Sequence, residues 1–135
     1  VDDFSVVAAA GSWRSESGTA VHVPHRWTDE GVTVEAPFTG AHLLHLAVAG
    51  CVLNDVYREA ARLGVVVDGV RVRANGGFDP GSWRSTGITY AVDLDIPAGP
   101  DQRAALLAAV DAVAEIPQAL RQGADVSRSP EGFKA

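Results

Sequence analysis

The stretch TGAHLLHLAVAGCVLNDVYREAARLG, residues 39–64, decides how the rest of the chain is read. Its first half places apolar residues on every side of a helix. Charge enters only at Asp55, followed by Arg58, Glu59 and Arg62. This pattern predicts one long helix over residues 41–63, buried all round its first half. Thr39 is positioned to cap its N-terminus and Gly64 to end it in a left-handed turn. Arg58 and Arg62 fall in the last turns, where cations oppose the helix dipole.

Upstream of this helix the pattern is extended. Residues 4–13 and 19–24 read as strands joined through Ser17-Gly18, and a turn over 27–31 leads into a short strand at 32–36. Downstream, strands are expected at 65–74 and 87–96, with Asn75-Gly76-Gly77 opening a hairpin loop over 75–81. A second helix over 101–115 follows Pro100. Pro117 then forces a break before a short turn at 118–121, a last strand at 124–127, and a tail at 128–135 expected to fray. Strands, a long helix, strands and helices in that order give an α+β class, one domain over residues 1–135 with an antiparallel sheet. The pentapeptide Gly-Ser-Trp-Arg-Ser occurs at 11–15 and 81–85, but its flanks differ and no period follows.

Composition narrows the partners. The 135 residues are 47% hydrophobic with a net charge of −6, which argues against nucleic acid or an anionic membrane surface. The richest apolar run, residues 41–56, is interrupted by His42, His45, Asn54 and Asp55, so no membrane span is expected. The start, Val1-Asp2-Asp3-Phe4, has no basic region, and no signal peptide is expected. A single cysteine, Cys51, excludes an intramolecular disulfide and fits a reducing, cytoplasmic setting.

Several segments together carry a family resemblance: residues 40–51 with their leucine pair, small residues and Cys51; Tyr57 to Gly64; Val70-Arg-Val-Arg; the strand around 88–96; and Glu115-Ile-Pro117. They resemble the OsmC/Ohr family of thiol-dependent hydroperoxide reductases. The resemblance implies an intertwined homodimer, with two central cysteine helices and active sites at the subunit interface. It also implies a peroxidatic cysteine, a resolving cysteine, and an arginine and a glutamate that hold the thiolate. Cys51 matches the first. Ile116 stands where the resolving cysteine would be, and Ala41 where the glutamate would be. The arginine would come from the N-terminal strands, as Arg14 or Arg26.

These departures remove two of the implied catalytic groups. An unperturbed thiol, with a pKa of about 8.5, is mostly protonated at neutral pH, and a cysteine deep inside a helix gains little from its dipole. A sulfenic acid formed without a second cysteine needs an external thiol. Cys51 therefore reads either as a small buried hydrophobe or as a reactive or ligand-contacting group. Its helix face carries Leu44, Ala47, Asp55 and Arg58.

The histidines fall in two pairs, His22 with His25 and His42 with His45. The helical spacing of the second pair suits a shared face, yet His42 lies roughly opposite Cys51 and no third ligand completes a set nearby, so no metal and no cofactor are expected. His42 and His45 remain candidates for a small-molecule pocket. Trp27, Phe38 and Leu44 are candidates to line it. The leading functional expectation is a diverged family member that binds or transforms a small, partly apolar organic molecule at the dimer interface. Cys51, His42, His45 and Arg14 or Arg26 would be its polar groups, and specialised metabolism would fit such a role. One alternative is a one-cysteine organic hydroperoxide reductase served by an external thiol; a second is a non-catalytic binding protein.

Overall fold

A computed structural model of the chain describes residues 3–132. In order, the elements are β1 (Val6–Gly11), β2 (Val21–Val23), β3 (Val32–Glu35), α1 (Gly40–Leu63), β4 (Gly69–Phe78), β5 (Ser85–Asp95), α2 (Pro100–Val113) and α3 (Glu115–Gln122). The strands form one antiparallel sheet in the order β2-β3-β1-β4-β5. The α+β class and antiparallel sheet expected from the sequence are present. Among the described residues, no helix is long and apolar enough to cross a membrane.

Alternation builds the sheet. Val6, Ala8 and Ala10 on β1 lie opposite Ala74, Val72 and Val70 on β4, so their side chains share one face. Both sets are buried. Against this face lies the stripe Val48, Ala49, Val52, Leu53, Val56 and Ala60 of α1, with Leu106 and Val110 of α2 closing the same core. The opposite face of the sheet carries charge: Arg71 pairs with Asp93 across β4 and β5 at 2.9 Å and lies over the indole of Trp13.

The ends of α1 follow the sequence closely. The Thr39 hydroxyl accepts the backbone N–H of His42 at 3.1 Å. Gly64 takes a φ of 73°, and the N–H of Val65 returns to the carbonyl of Ala60 at 2.9 Å. One expectation about this helix fails in the single chain. Its first half is not covered on every side, because Leu43 and Ala47 are exposed.

Other expectations need correction. β4 continues to Phe78 instead of ending at Ala74, so Asn75 and Gly76 belong to the sheet, paired with Thr89 and Ile88. The true hairpin tip is residues 79–84, where the Asp79 side chain accepts the N–H of Gly81 and the hydroxyl of Ser82. The second helix ends at Val113, before Pro117. Pro117 is then the third residue of α3, within a first turn where its missing N–H has no helical partner to lose. The segment expected as a last strand, 124–127, is irregular, and 128–132 are neither helix nor strand. The rest of the expected fraying tail, 133–135, lies outside the described residues. The two copies of the repeated pentapeptide are unrelated in structure: one follows β1, with Trp13 packed, and the other ends the hairpin tip, with Trp83 exposed.

His45 is the polar exception in the core. Its side chain is fully buried among the rings of Phe4 and Phe78, and neither ring nitrogen has a hydrogen bond of ordinary geometry among the described residues. Burial lowers its pKa below 6.5; the nearby carbonyls of Phe4 and Ala41 and the charge of Asp3 pull the other way, and His42 adds to the lowering. The backbone at Gly76 passes directly over this ring, and a Cβ there would lie 2.8 Å from His45 Nε2 and collide with the Gly87 carbonyl.

Two outcomes are expected. The unfolded chain binds a proton at His45 more readily than the folded one, so stability falls as pH drops below 6.5 toward the lowered folded value. His45→Leu should remove this component: in urea titrations between pH 7.5 and 5, the variant should gain on the parent by at most about 1.4 kcal/mol per pH unit. A constant difference across that range would contradict it. Gly76→Ala should lower stability by about 1–3 kcal/mol at pH 7.5, measured the same way.

Candidate functional site

The core stripe of α1 leaves a second stripe facing outward. Ala47, Gly50, Cys51 and Asn54 follow i, i+3, i+4, i+7 spacing and form the floor of a cleft of about 730 Å3. Small side chains at Ala47 and Gly50 leave room beside the sulfur. One wall is the β2–β3 connection with His25, Arg26 and Trp27; another is the start of α3 with Glu115 and Ile116.

The wall from residues 24–31 is tied to α1 through His25. Its Nε2 faces Asn54 Oδ1 at 2.9 Å, its Nδ1 faces the Thr28 hydroxyl at 2.8 Å, and its ring stands edge-on to Tyr57. This fixes Trp27 at the cleft, where the Arg26 guanidinium lies 5.7 Å from the indole centre.

The other end of the cleft is built around the thiol. Cys51 Sγ lies 3.5 Å from Glu115 Oε2, 3.8 Å from Asp55 Oδ2 and 3.5 Å from the backbone nitrogen of Ile116. Asp55 is buried, one turn along α1. Arg58 joins the carboxylates, reaching Glu115 at 2.8 Å, Asp55 at 3.2 Å and Glu59 at 3.6 Å. Glu59 is also held by Arg62 at 2.9 Å.

The electrostatics follow from this arrangement. Burial pushes the Cys51 thiol up, the Ile116 N–H opposes it, and the charge of Asp55 and the hydrogen bond to Glu115 push it up further. Asp55 is also raised by burial, against the pull of Arg58. Glu115 is held below the usual carboxylate range by its hydrogen bond to Arg58. The thiol is thus kept protonated and can donate to either carboxylate. Ligand atoms of Cys51, Asp55 and Glu115 lie within 4.8 Å of one another, but the cation this cluster already engages is the Arg58 guanidinium.

The residues singled out from the sequence divide between regions. Cys51, Arg26 and Trp27 meet at the cleft. His42 and His45 do not; they pack with Phe4 on the far side of α1, and His42 Nδ1 contacts the Thr39 hydroxyl at 2.6 Å. Arg14 lies in a separate surface depression with His22. Phe38 is 90% exposed ahead of α1, and Leu44 lines a smaller groove between α1, β5 and α3, with Ile88 and Leu120. Ile116, in the position matched to a resolving cysteine, does lie against Cys51.

Polar cleft residues outside the candidates read from the sequence are His25, Asn54, Asp55, Glu115, and Arg58 in its pairing role. The helical spacing from Cys51 to Asp55 and Arg58 was visible in the sequence. Glu115, 64 positions away, gave no signal of its own beyond its place just ahead of Pro117.

The profile of the OsmC-like protein family matches residues 33–128. No curated protein matches the chain. Among solved structures, the fold is similar to the crystal structure of an OsmC-like hydroperoxide resistance protein from Jannaschia sp. CCS1. The TM-score is 0.55 at 19% identity, over 96% of this chain and 97% of that one. With the family profile spanning β3 through α3 and the cysteine helix between them, the chain belongs to the OsmC-like family.

Proposed function

We propose that this chain is a diverged OsmC-like protein that binds or transforms a small, partly apolar organic molecule in the Cys51 cleft, without a two-cysteine peroxidase cycle. One observation carries the reading. The sulfur meets a backbone N–H at Ile116 and two carboxylates, with no second thiol and no unengaged guanidinium beside it among the described residues. Peroxide reduction needs a thiolate, and this environment favours the thiol. The cleft itself has the volume of a small-molecule site, with an aromatic wall and a few convergent polar groups.

In this proposal the chain works as a homodimer. The exposed part of α1, Leu43 and Ala47, and the 90% exposed Phe38 supply apolar surface for a second copy, which would complete the cleft.

A second reading is favoured by the hydroperoxide resistance named for the similar structure. Here Cys51 attacks the distal peroxide oxygen, the alcohol leaves, and the resulting sulfenic acid is reduced by two equivalents of an external thiol, giving water and a disulfide.

The two readings separate by measurement. Iodoacetamide alkylation of Cys51 should rise only above the pH expected of a free thiol, about 8.5. Stoichiometric cumene hydroperoxide at pH 7 should leave no dimedone-trapped sulfenic acid. Rapid alkylation at pH 6.5 with efficient trapping would replace the first reading by the second. A thermal-shift screen of small metabolites should find ligands whose effect is lost in Trp27→Ala; the binding reading fails if no compound stabilises the protein.

A further inference from the structure

We infer that the thiol end of this cleft receives the amine head group of its ligand, with the ligand's apolar body lying toward Trp27. The inference rests on the binding reading above and names the class of molecule that the site takes.

Glu59 is matched by Arg62, which leaves Asp55 and Glu115 facing one guanidinium, that of Arg58. Each Arg58 nitrogen has a carboxylate contact: Nη2 with Asp55, Nε with Glu59, Nη1 with Glu115. These contacts turn all three Arg58 nitrogens toward carboxylates, leaving only the second N–H of each Nη for an incoming anion. The acceptors are in surplus, because a carboxylate has about four lone-pair positions. Glu115 is 61% exposed at its side chain and so can turn an oxygen toward a ligand, whereas Asp55 is fixed and buried.

A ligand head that only accepts hydrogen bonds therefore meets like charge at this end, and one that donates meets two acceptors. An ammonium group suits both the charge and the hydrogen-bond direction. An organic hydroperoxide offers one donor and no charge, and gains less. At the other end, the wall at Trp27 is aromatic, and Val23, Val32 and Leu46 continue the apolar lining. Cleft shape and charge thus specify a molecule with an apolar or planar body and one amine.

The strongest objection is Arg26, the cleft's other cation. An anionic ligand that entered reversed, with its carboxylate on Arg26, would bind through the rim instead of the thiol end. The test has to separate these orientations.

Matched indole probes do so: tryptamine, tryptophol and indole-3-acetate, titrated calorimetrically at pH 7 and low salt against the full chain. Tryptamine is expected to bind at least about tenfold tighter than indole-3-acetate, with tryptophol between them, and the preference should weaken with salt. Glu115→Gln removes an exposed charge and should cut the amine preference to about threefold or less, while Arg26→Ala, whatever it does to the affinity of all three probes, should leave tryptamine the tighter binder. Equal or tighter binding of indole-3-acetate, lost in Arg26→Ala, would overturn the inference in favour of the reversed orientation. A preference unchanged in Glu115→Gln would overturn it too, as would failure of all three probes to bind. If the probes fail while other metabolites still stabilise the protein, the charge assignment falls and the binding reading stands; if nothing binds, both fall.

Discussion

The packing of α1 against the sheet is the constraint on which everything else depends. Val48, Val52 and Val56 must face Val70, Val72 and the β1 alanines, since that contact is most of the core. A helix fixed on one face has its other faces fixed as well. The stripe through Ala47, Gly50, Cys51 and Asn54 is therefore presented outward at a set position, and the walls of the cleft are whatever the chain folds against it. One wall arrives because β2 pairs with β3 beside β1; the other because α2 packs on α1 and the chain breaks at Ala114, which puts Glu115 next to the sulfur.

That break is where local chemistry and global placement meet. Ala114 leaves the helical region with ψ of 115°, and α3 restarts immediately, so its first residues lie against α1. Ile116 presents a backbone N–H to Cys51 and Glu115 presents a carboxylate. The Ile116 backbone thus lies at the sulfur, and its side chain brings no second thiol there.

The sequence disclosed those features that depend on local rules. Thr39 and Gly64 bracket α1 because capping is decided within a few residues, and alternation at Val70, Val72 and Ala74 placed the core face of β4. What it concealed came from long-range packing. Asn75 and Gly76 look like turn residues, but β5 pairs with them, and Gly76 is needed because His45 lies beneath it. His42 and His45 share a helix with Cys51; helical geometry already set His42 roughly opposite the cysteine, and the sheet's position supplies what it could not, the ring environment of Phe4 and Phe78. Of Arg14 and Arg26, only Arg26 borders the cleft, a distinction set by the β2–β3 connection folding over α1 and by the tether from His25 to Asn54. The partnership of Glu115 with Arg58 spans 57 positions and has no local signature.

The missing resolving cysteine is, by itself, a weak argument against thiol chemistry, because any soluble thiol can stand in for it. The microenvironment of the first cysteine cannot be replaced in that way. A thiolate needs a neighbouring cation or an oriented dipole. Around Cys51 the guanidinium of Arg58 is paired with carboxylates, and two of those carboxylates lie 3.5 and 3.8 Å from the sulfur. Adding a cysteine at position 116 would leave that imbalance in place. Removing Glu115 or Asp55 would lessen the negative charge and the hydrogen-bond acceptance that hold the sulfur as a thiol. The chemistry of this site is accordingly set less by the residue that is absent than by the two acids that are present.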